Sequence, residues 1–459
     1  MQKKKKLNKL DRKIFLQSFL GVLTFCTTII TVFMYAITKE FSIENLIGLA
    51  GFLVLLFLVL YFYIYTQKKE IIDSKNTLFL LFTIYHVILI SFILILDLHY
   101  FLLPILIAGM LIALLLDTHL AIIVNIFFAI LASILNAFGL IVIIFYLISG
   151  TISNLLIKQT KQRKNIIWVA IALLGTNALV TMFLSLLVEE LKSVDILFAV
   201  LNGGFSLIFV VGSLPLWEPI FDVVTPLKLL ELSNSDQKLF QRLLIEAPGT
   251  FHHSQLVANL AETATTDIGG DYLLARAGGL YHDIGKLKNP ELFKENQNGD
   301  NKHDEMEPEK SAKIILDHVS YGVKLANEYN LPKNVRSIIS QHQGTTIIKY
   351  FYHKAKETHP LRDIDEEKYR YKGPEPMFNE AAIVMLADSV EASVRAIPQN
   401  EKNLEKIEDT VNYIIKMKLE EGQLDKCDLK IKELSIIANA FMKVYKGMYH
   451  ERIIYPTDK

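Results

Sequence analysis

The feature that most constrains this chain is a series of long apolar runs in its first half. Each run holds roughly 17–23 residues, which is enough for a helix to cross a hydrocarbon core of ~30 Å. Because backbone polar groups in lipid must be satisfied within the segment, such runs predict transmembrane helices. Eight of them fall near residues 15–37, 46–66, 77–97, 99–116, 119–136, 138–157, 166–188 and 196–217. We therefore predict that residues 1–217 form a membrane domain with about eight transmembrane helices.

The runs at 99–116 and 119–136 support that count least. Both are short, and only Asp117-Thr118-His119 separates them. A re-entrant pair in their place would give six spans, so the sequence alone leaves a count between six and eight.

Charges in the connections predict which ends of these helices face the cytoplasm. Basic residues crowd the N-terminal tail and two of the connections, namely Lys3, Lys4, Lys5, Lys6, Lys9, Arg12, Lys13, Lys68, Lys69, Lys75, Lys158, Lys161, Arg163 and Lys164. The intervening connections also carry acidic residues: Glu40, Glu44, Glu189 and Glu190. The positive-inside rule then places the N-terminus and the second half of the chain in the cytoplasm. We expect the first run to be an uncleaved anchor, because it is too long for a signal-peptide core.

The second half of the chain has the pattern of a soluble, all-helical domain. From Trp217 onward the apolar density falls, and Pro215, Pro219 and Pro226 mark the junction, so residues 218–235 are predicted to be a coupling linker. Helical periodicity follows near 254–267, 271–285, 308–328, 332–342, 345–358, 379–396, 402–420 and 428–447. The predicted fold class is therefore all-α, with a polytopic membrane domain followed by a cytoplasmic helical domain over residues 236–459.

Histidines and aspartates recur through this second half in a pattern that suits a metal centre. They are His253, the adjacent pair His282 and Asp283, His318, His342 and Asp388. Imidazole and carboxylate together suit Mn²⁺, Fe²⁺, Co²⁺ or Zn²⁺. The only cysteines, Cys26 and Cys427, lie far from this set in the sequence, which excludes a thiolate site.

Asp283 has two carboxylate oxygens and can bridge two ions. This predicts one group of His253, His282, Asp283 and Asp388 and a second group of Asp283, His318 and His342. Two ions about 3.5–4 Å apart can activate water and hold a phosphodiester for in-line attack. Lys286 lies one helical turn after His282, where its ammonium can meet a phosphate oxygen. The alternative for Lys286 is a solvated position at a helix end.

The ordered motifs resemble a known family. His253-Ser254, His282-Asp283-Ile284-Gly285-Lys286, His318, His342 and Asp388 match the HD superfamily of metal-dependent phosphohydrolases. The segments 248–254, 257–262, 350–355 and 382–392 are similar to the PgpH-type, seven-transmembrane receptor HD proteins, which are cyclic di-AMP phosphodiesterases. The resemblance extends from about Trp217 to Pro456, and more loosely back to about Asn76.

The resemblance implies a fold, an activity and a set of site residues. It implies an HD domain that hydrolyses cyclic di-AMP to pApA with two divalent metal ions, Mn²⁺ or Fe²⁺, and so controls a second messenger. It implies metal ligation by His253, His282, Asp283, His318, His342 and Asp388, with Asp283 and Lys286 as catalytic residues. It also implies a multi-pass protein of the bacterial inner membrane, with the lipid bilayer as a partner. The sequence leaves the oligomeric state open, a homodimer being one alternative.

Two departures from the family pattern bear on function. Where the family has two consecutive histidines, this chain has His342 followed by Gln343, which predicts the loss or replacement of one second-metal ligand or phosphate contact. The family also inserts a large extracellular domain after the first span, and only about eight residues, Thr38 to Asn45, are available for it here. The input signal is therefore expected to differ.

Other functions fit the sequence less well. The sequence has no basic stripe with interleaved aromatic residues, so a nucleic-acid polymer is not expected as a partner. It also lacks a phosphate-binding glycine loop and a Ser-His-Asp order, which disfavours an ATPase and an acyl transferase. Two alternatives stay open: an HD phosphohydrolase for another nucleotide, and a non-catalytic membrane receptor that binds a nucleotide.

Several further polar residues carry weaker expectations. The pair His303-Asp304 is expected at the surface or as a gate to the substrate, and the long segment 359–378 either contacts phosphate or adenine through Tyr371 or is a solvated linker. His86, Asn125 and Asn177 are expected to hydrogen-bond between membrane helices rather than to line a ligand cleft.

Overall fold

The computed structural model describes residues 2–135, 139–160, 163–188, 191–297, 299, 301–359 and 363–448. Within these ranges the chain is helical, with no strand and one isolated β-bridge between Ile347 and Arg370. The chain divides into two compact units, Met1–Leu227 and Lys228–Lys459. The predicted all-α fold class is confirmed.

The first unit is built from long apolar helices. Their bounds are α1 (Gln2–Thr38), α2 (Ile43–Gln67), α3 (Lys69–Asp73), α4 (Lys75–Ile95), α5 (Ile105–Leu115), α6 (Thr118–Leu135), α7 (Gly139–Ile157), α8 (Arg163–Leu187) and α9 (Ser193–Phe221). Among the described residues, seven of these helices, α1, α2, α4, α6, α7, α8 and α9, are long and apolar enough to cross a membrane. Only residues 39–42 join α1 to α2, so no domain is inserted at this point. Glu189 and Glu190 lie outside the described residues.

The run near 99–116 does not form a helix of full spanning length. It folds as a 3₁₀ turn, Tyr100–Leu102, followed by α5, which has 11 residues. At 1.5 Å per residue, α5 is about 16 Å long, short of the ~30 Å hydrocarbon core. Pro104 precedes α5 and lacks the N–H that would continue a helix from the turn. The prediction of a spanning helix was wrong for this run, and the count of eight crossings stays a prediction.

The segment from Asp97 to Asp117, which contains the short helix α5, nevertheless connects opposite ends of the unit. Asp97, just before the 3₁₀ turn, pairs with Lys39 at the end of α1, with Nζ and Oδ1 2.7 Å apart. Asp117, just after α5, pairs with Lys68 at the end of α2, with Nζ and Oδ2 2.8 Å apart. Since α1 and α2 are consecutive long helices joined by a tight connection, their C-terminal ends lie at opposite ends of the unit.

Neutral polar side chains join neighbouring helices inside this unit, as the packing interpretation predicts. His86 Nε2 lies 2.8 Å from the Thr27 hydroxyl. Asn125 donates to the Tyr146 carbonyl at 2.7 Å, and Asn177 donates to the Ala199 carbonyl at 2.8 Å. Each contact links two different helices, which is how polar residues stabilise helix pairs in membranes.

The second unit is a bundle of shorter helices. The helix α10 (Pro226–Leu232) falls in the predicted linker, and the domain then comprises α11 (Lys238–Glu246), α12 (Pro248–Asp267), α13 (Tyr272–Tyr281), α14 (Pro308–Glu328), α15 (Lys333–Gln341), α16 (Lys349–Thr358), α17 (Asn379–Arg395), α18 (Leu404–Glu420) and α19 (Ile431–Met448). Each periodic segment found in the sequence overlaps one of these helices, although α12 begins at Pro248, six residues before the segment 254–267. Residues 449–459 lie outside the described residues.

The core of the second unit is organised around α12 and α17. Helix α12 packs against α11, α13, α17 and α19. Helix α17 is apolar on all sides over Ala381–Ala387, and every residue of that stretch is buried. A helix of this kind lies inside a domain. The polar Asp388 that follows is therefore carried into the interior by the packing of α17.

Candidate metal centre

The six predicted ligand residues converge in the second unit from five separate helices. His253 lies on α12, His318 on α14 and Asp388 on α17. His282 and Asp283 follow the end of α13, and His342 follows the end of α15. None of the six is more than 7% exposed. Their donor atoms form two groups that share Asp283: His253, His282, Asp283 and Asp388 form group one, and Asp283, His318 and His342 form group two.

Group one places two imidazole nitrogens between two carboxylates. His253 Nε2 lies 3.1 Å from Asp388 Oδ1 and 3.4 Å from Asp283 Oδ2. His282 Nε2 lies 3.2 Å from Asp283 Oδ2 and 3.7 Å from Asp388 Oδ1. The four donor atoms thus surround one point.

Group two uses the other oxygen of Asp283. His318 Nε2 lies 3.3 Å from Asp283 Oδ1, and His342 Nε2 lies 3.6 Å from the same atom. The two Nε2 atoms are 3.1 Å apart. Asp283 therefore presents one carboxylate oxygen to each group, which is the arrangement expected of a bridging ligand.

The opposite nitrogen of each histidine is held by the protein. Nδ1 of His282 lies 2.8 Å from the Gly279 carbonyl, that of His318 lies 2.5 Å from the Ile315 carbonyl, and that of His342 lies 2.8 Å from the Ile339 carbonyl. A carbonyl only accepts, so Nδ1 must carry the proton and donate. In the neutral ring this leaves the lone pair on Nε2, facing the group, as in metal-binding histidines.

A glycine in the His-Asp-Ile-Gly-Lys motif lets α14 approach the centre. A Cβ on Gly285 would lie 1.7 Å from the His318 carbonyl oxygen and 2.6 Å from the Gly322 nitrogen. No other residue fits there without moving α14. Since α14 carries His318, the space at Gly285 determines whether group two can assemble.

The electrostatics of the cluster favour charged carboxylates and a bound cation. Burial raises the pKa of Asp283, but Lys286 and His282 outweigh it and hold that pKa well below its usual range. Burial lowers the pKa of His318 to about 4, so this imidazole is neutral at pH 7. A neutral imidazole and an ionised carboxylate are the forms that bind metals.

The unpartnered atoms of the cluster fit a metal ion. His253 Nε2, His282 Nε2 and Asp283 Oδ1 are buried without a hydrogen-bond partner. Buried polar atoms are normally paired, and three unpaired ones in one cluster, two in group one and one in group two, call for ligands. Nitrogen and carboxylate donors without sulfur suit a borderline-hard divalent ion. The cluster is thus compatible with a metal site.

Lys286 is not a solvated residue at a helix end. Its side chain is 13% exposed, and its Nζ lies 2.7 Å from Asp283 Oδ2 and 2.5 Å from Glu295 Oε1. Burial lowers the pKa of Lys286, but Asp283 and Glu295 outweigh it and raise that pKa above its usual value. A fixed ammonium therefore lies directly beside the bridging carboxylate.

Two carboxylates of the centre escaped the sequence analysis. Glu391 Oε2 lies 2.5 Å from His253 Nδ1, and Glu295 contacts Lys286. Glu391 is three residues after Asp388, about one turn along α17, so helical spacing was the available signal. No comparable signal marks Glu295, because it reaches the centre from the segment between α13 and α14.

Three other predicted residues have defined positions. Gln343 donates from Nε2 to Asp388 Oδ2 at 2.9 Å, so its contact is with group one and not with the second group where a lost ligand was expected. His303 is 4% exposed and its Nε2 lies 2.7 Å from the Leu292 carbonyl; the expected surface position was wrong for this residue. Tyr371 is 9% exposed and its ring centroid lies 5.9 Å from that of His318, so it is no part of a solvated linker.

Comparisons with known proteins agree with this arrangement. The family described as "7TM receptor with intracellular HD hydrolase" matches residues 43–225, and the HD domain family matches residues 250–393. The cyclic-di-AMP phosphodiesterase PgpH of Bacillus subtilis is 37% identical over 430 residues, covering 89% of this chain and 60% of the relative. PgpH of Listeria monocytogenes is 36% identical over 448 residues, covering 93% of this chain and 61% of the relative. The chain thus spans about three fifths of the length of these relatives.

A solved structure is also similar to part of the chain. It is the HD domain of the L. monocytogenes phosphodiesterase PgpH in complex with cyclic di-AMP, which is 46% identical and covers 47% of this chain and 99% of that one, with a TM-score of 0.45. The two family matches lie in the order of a receptor segment followed by an HD domain and together account for more than half of the residues. The chain belongs to the PgpH-type family of seven-transmembrane receptors with an HD hydrolase domain.

Proposed function

We propose that this chain is a membrane-bound, metal-dependent phosphodiesterase that hydrolyses cyclic di-AMP to pApA. The observation that carries the proposal is the pair of buried donor groups joined by the two oxygens of Asp283. Both relatives, each more than one third identical, are named cyclic-di-AMP phosphodiesterases. Hydrolysis would set the level of a second messenger.

In this proposal the two donor groups hold two divalent ions, Mn²⁺ or Fe²⁺. The ligands are His253, His282, Asp283 and Asp388 for one ion and Asp283, His318 and His342 for the other. Two bound ions would supply activation of the attacking water and neutralisation of charge on the phosphoryl oxygens. Water adds to phosphorus as one ester P–O bond breaks, which opens the ring to a linear dinucleotide with a terminal phosphate.

The protein side chains supply positioning and a fixed positive charge. The Lys286 ammonium lies beside Asp283 and is charged at neutral pH, so it can donate to a phosphoryl oxygen as negative charge develops there. Its hydrogen bond to Glu295 fixes the ammonium before substrate arrives. Asp283 and Lys286 are therefore the proposed catalytic residues.

The proposed location is the bacterial inner membrane, with the N-terminus and the HD domain in the cytoplasm. Three observations support it. The segment 97–117, which contains α5, connects opposite ends of the first unit, and this supports the predicted count of eight passes. His99, before α5, pairs with Asp195 at the start of α9 at 2.9 Å, so α9 starts at the end of the unit where α1 finishes. The basic connections then all fall on the side from which α9 leaves the unit.

Turnover by the full chain, purified in detergent, tests this function. The protein is incubated with cyclic di-AMP and Mn²⁺, and products are separated by chromatography. We expect pApA to form, and we expect chelation of the metal to stop it. An Asp388→Asn variant should be inactive, whereas Glu421→Gln, which removes a partly buried carboxylate that pairs with Lys349 and belongs to neither donor group, should retain activity.

Two other outcomes would replace the proposal. Faster turnover of cyclic di-GMP or of a mononucleotide would make the chain an HD phosphohydrolase for that substrate. Tight binding of cyclic di-AMP without any product, in protein loaded with metal, would make it a non-catalytic nucleotide receptor.

A further inference from the structure

The four histidines of the centre differ in the group that holds the ring nitrogen Nδ1. Three of them donate Nδ1–H to the backbone carbonyl three residues earlier. His253 instead has its Nδ1 2.5 Å from the carboxylate of Glu391, a residue that is 5% exposed. A carboxylate partner makes an imidazole a stronger donor to a cation than a neutral carbonyl does, and it fixes the ring orientation.

Glu391 is itself held by further contacts. Its other oxygen, Oε1, lies 3.4 Å from Nε of Arg395, one turn along α17. Arg395 also approaches Glu295, with Nη1 and Oε2 3.9 Å apart, and Glu295 holds Lys286. The Glu391 carboxylate thus cannot swing away from His253 without breaking an ion pair.

The two donor groups differ in charge as well as in support. Group one has the carboxylates of Asp283 and Asp388, with Glu391 directly behind His253. Group two has one oxygen of the shared Asp283 and two imidazoles whose partners are neutral carbonyls. A divalent cation in a buried, low-dielectric site gains more from the group with more negative charge.

We propose that Glu391 is a positioning residue that makes group one bind a divalent cation before group two and more tightly. The inference rests on the proposed two-metal site. It assigns Glu391 no contact with substrate. The effect acts through the imidazole of His253, and this defines the variants that separate it from a general role in folding.

The test is a double-mutant cycle on metal binding by the full chain in detergent. His342→Ala leaves group one intact, and His253→Ala leaves group two intact. After removal of metal with a chelator, each protein is titrated with Mn²⁺ by equilibrium dialysis and elemental analysis. In the His342→Ala background we expect Glu391→Gln to weaken Mn²⁺ binding about 10–100-fold, the size of effect that outer-shell partners have. In the His253→Ala background the same change should have no effect, because the partner of Glu391 is absent.

The cycle also contains the results that overturn the inference. Unchanged Mn²⁺ affinity in the His342→Ala background, or an equal loss in both backgrounds, would show that Glu391 has no specific role at group one. If Glu391→Gln fails to fold, Glu391→Asp keeps the charge but is one methylene shorter, and a smaller loss confined to group one is expected. Glu421→Gln is the control for removal of a carboxylate elsewhere.

The readout also separates this inference from the proposed function. The titration measures bound Mn²⁺ and needs no nucleotide. A protein that binds Mn²⁺ as described but releases no pApA would contradict the phosphodiesterase proposal and leave the role of Glu391 standing.

Discussion

The two units bury polar side chains in opposite ways. In the first unit three buried asparagines face glycines on a neighbouring helix. A Cβ added to Gly150 would lie 2.1 Å from Asn125 Oδ1, one on Gly109 would lie 2.4 Å from Asn154 Oδ1, and one on Gly203 would lie 2.8 Å from Asn177 Nδ2. These are packing contacts between close helices, with neutral groups.

In the second unit the buried polar groups are ionisable and point at one another. Asp283 alone lies within 3.6 Å of four histidine Nε2 atoms. Burial of polar side chains therefore does not by itself identify a site. Convergence of several charged groups with unfilled donor atoms does, because only a ligand offsets the cost of burying them.

Removal of Asp283 tests the comparison most severely. Because Asp283 is the only residue common to both groups, Asp283→Ala should remove both metals and reduce hydrolysis of cyclic di-AMP to the background rate. Elemental analysis of the dialysed protein is the measurement. Full metal content in the variant would show that Asp283 does not bridge.

Removal of the Lys286 ammonium should affect the reaction without emptying the centre. Lys286→Ala is expected to lower kcat about 10²–10³-fold, the usual cost of losing one donor to a developing negative charge. Metal content should stay at the wild-type level. Lys288→Ala is the matched control, because Lys288 is half exposed and pairs with Asp317 at 3.5 Å. An equal loss in both variants would point to a general effect of positive charge.

The charged character of the second unit predicts a pH effect on the metal-free protein. Burial alone would lower the pKa of His282. The negative charges of Asp283 and Asp388 outweigh this effect and raise the pKa from 6.5 to about 9. The protonated ring stabilises the metal-free fold, so this contribution is complete below about pH 6.5 and is lost as the pH rises through about 9. The Tm of metal-free protein should therefore fall between pH 7 and 9.5. His282→Gln should show a smaller slope, and an unchanged slope would refute the assignment.

The neutral network of the first unit predicts a loss of stability alone. Asn202 donates to the carbonyls of Phe101 and Leu103 at 2.6 and 3.2 Å, where the chain turns before α5. Asn202→Ala removes this donor from the Phe101 carbonyl, while the Leu103 carbonyl keeps the Tyr146 hydroxyl, and the change should cost about 1–2 kcal/mol of stability. Thermal unfolding in detergent measures it, with Asn165→Ala as control, since the Asn165 hydrogen bond is exposed. Loss of Mn²⁺ affinity in Asn202→Ala would contradict the conclusion that the buried polar groups of the first unit serve packing alone.

The sequence predicted the centre better than its surroundings. The six convergent residues are chemically distinctive and recur in a fixed order, so residue type and order sufficed to name them. Glu295 acts through a contact that only the folded chain creates, and its residue type is common on surfaces. For the run near 99–116 the sequence predicts a spanning helix, because apolar composition does not register the break at Pro104. The other helix bounds of the second unit lie within a few residues of the periodic segments, except that α12 begins six residues earlier, at Pro248.

The smallest expected effect concerns Gln343. Its amide donates to Asp388 Oδ2 and so leaves Oδ1 to face His253, which makes it a support for group one. A histidine at this position can donate an N–H in the same way, so Gln343→His should change the Mn²⁺ affinity of neither group by more than about twofold. Gln343→Ala removes the donor and should weaken group one about tenfold, the lower end for outer-shell partners. The measurement is the Mn²⁺ titration in the His342→Ala background for group one and in the His253→Ala background for group two. A marked gain at group two in Gln343→His would mean that an imidazole at this position reaches the second ion, and that glutamine here costs the centre a ligand.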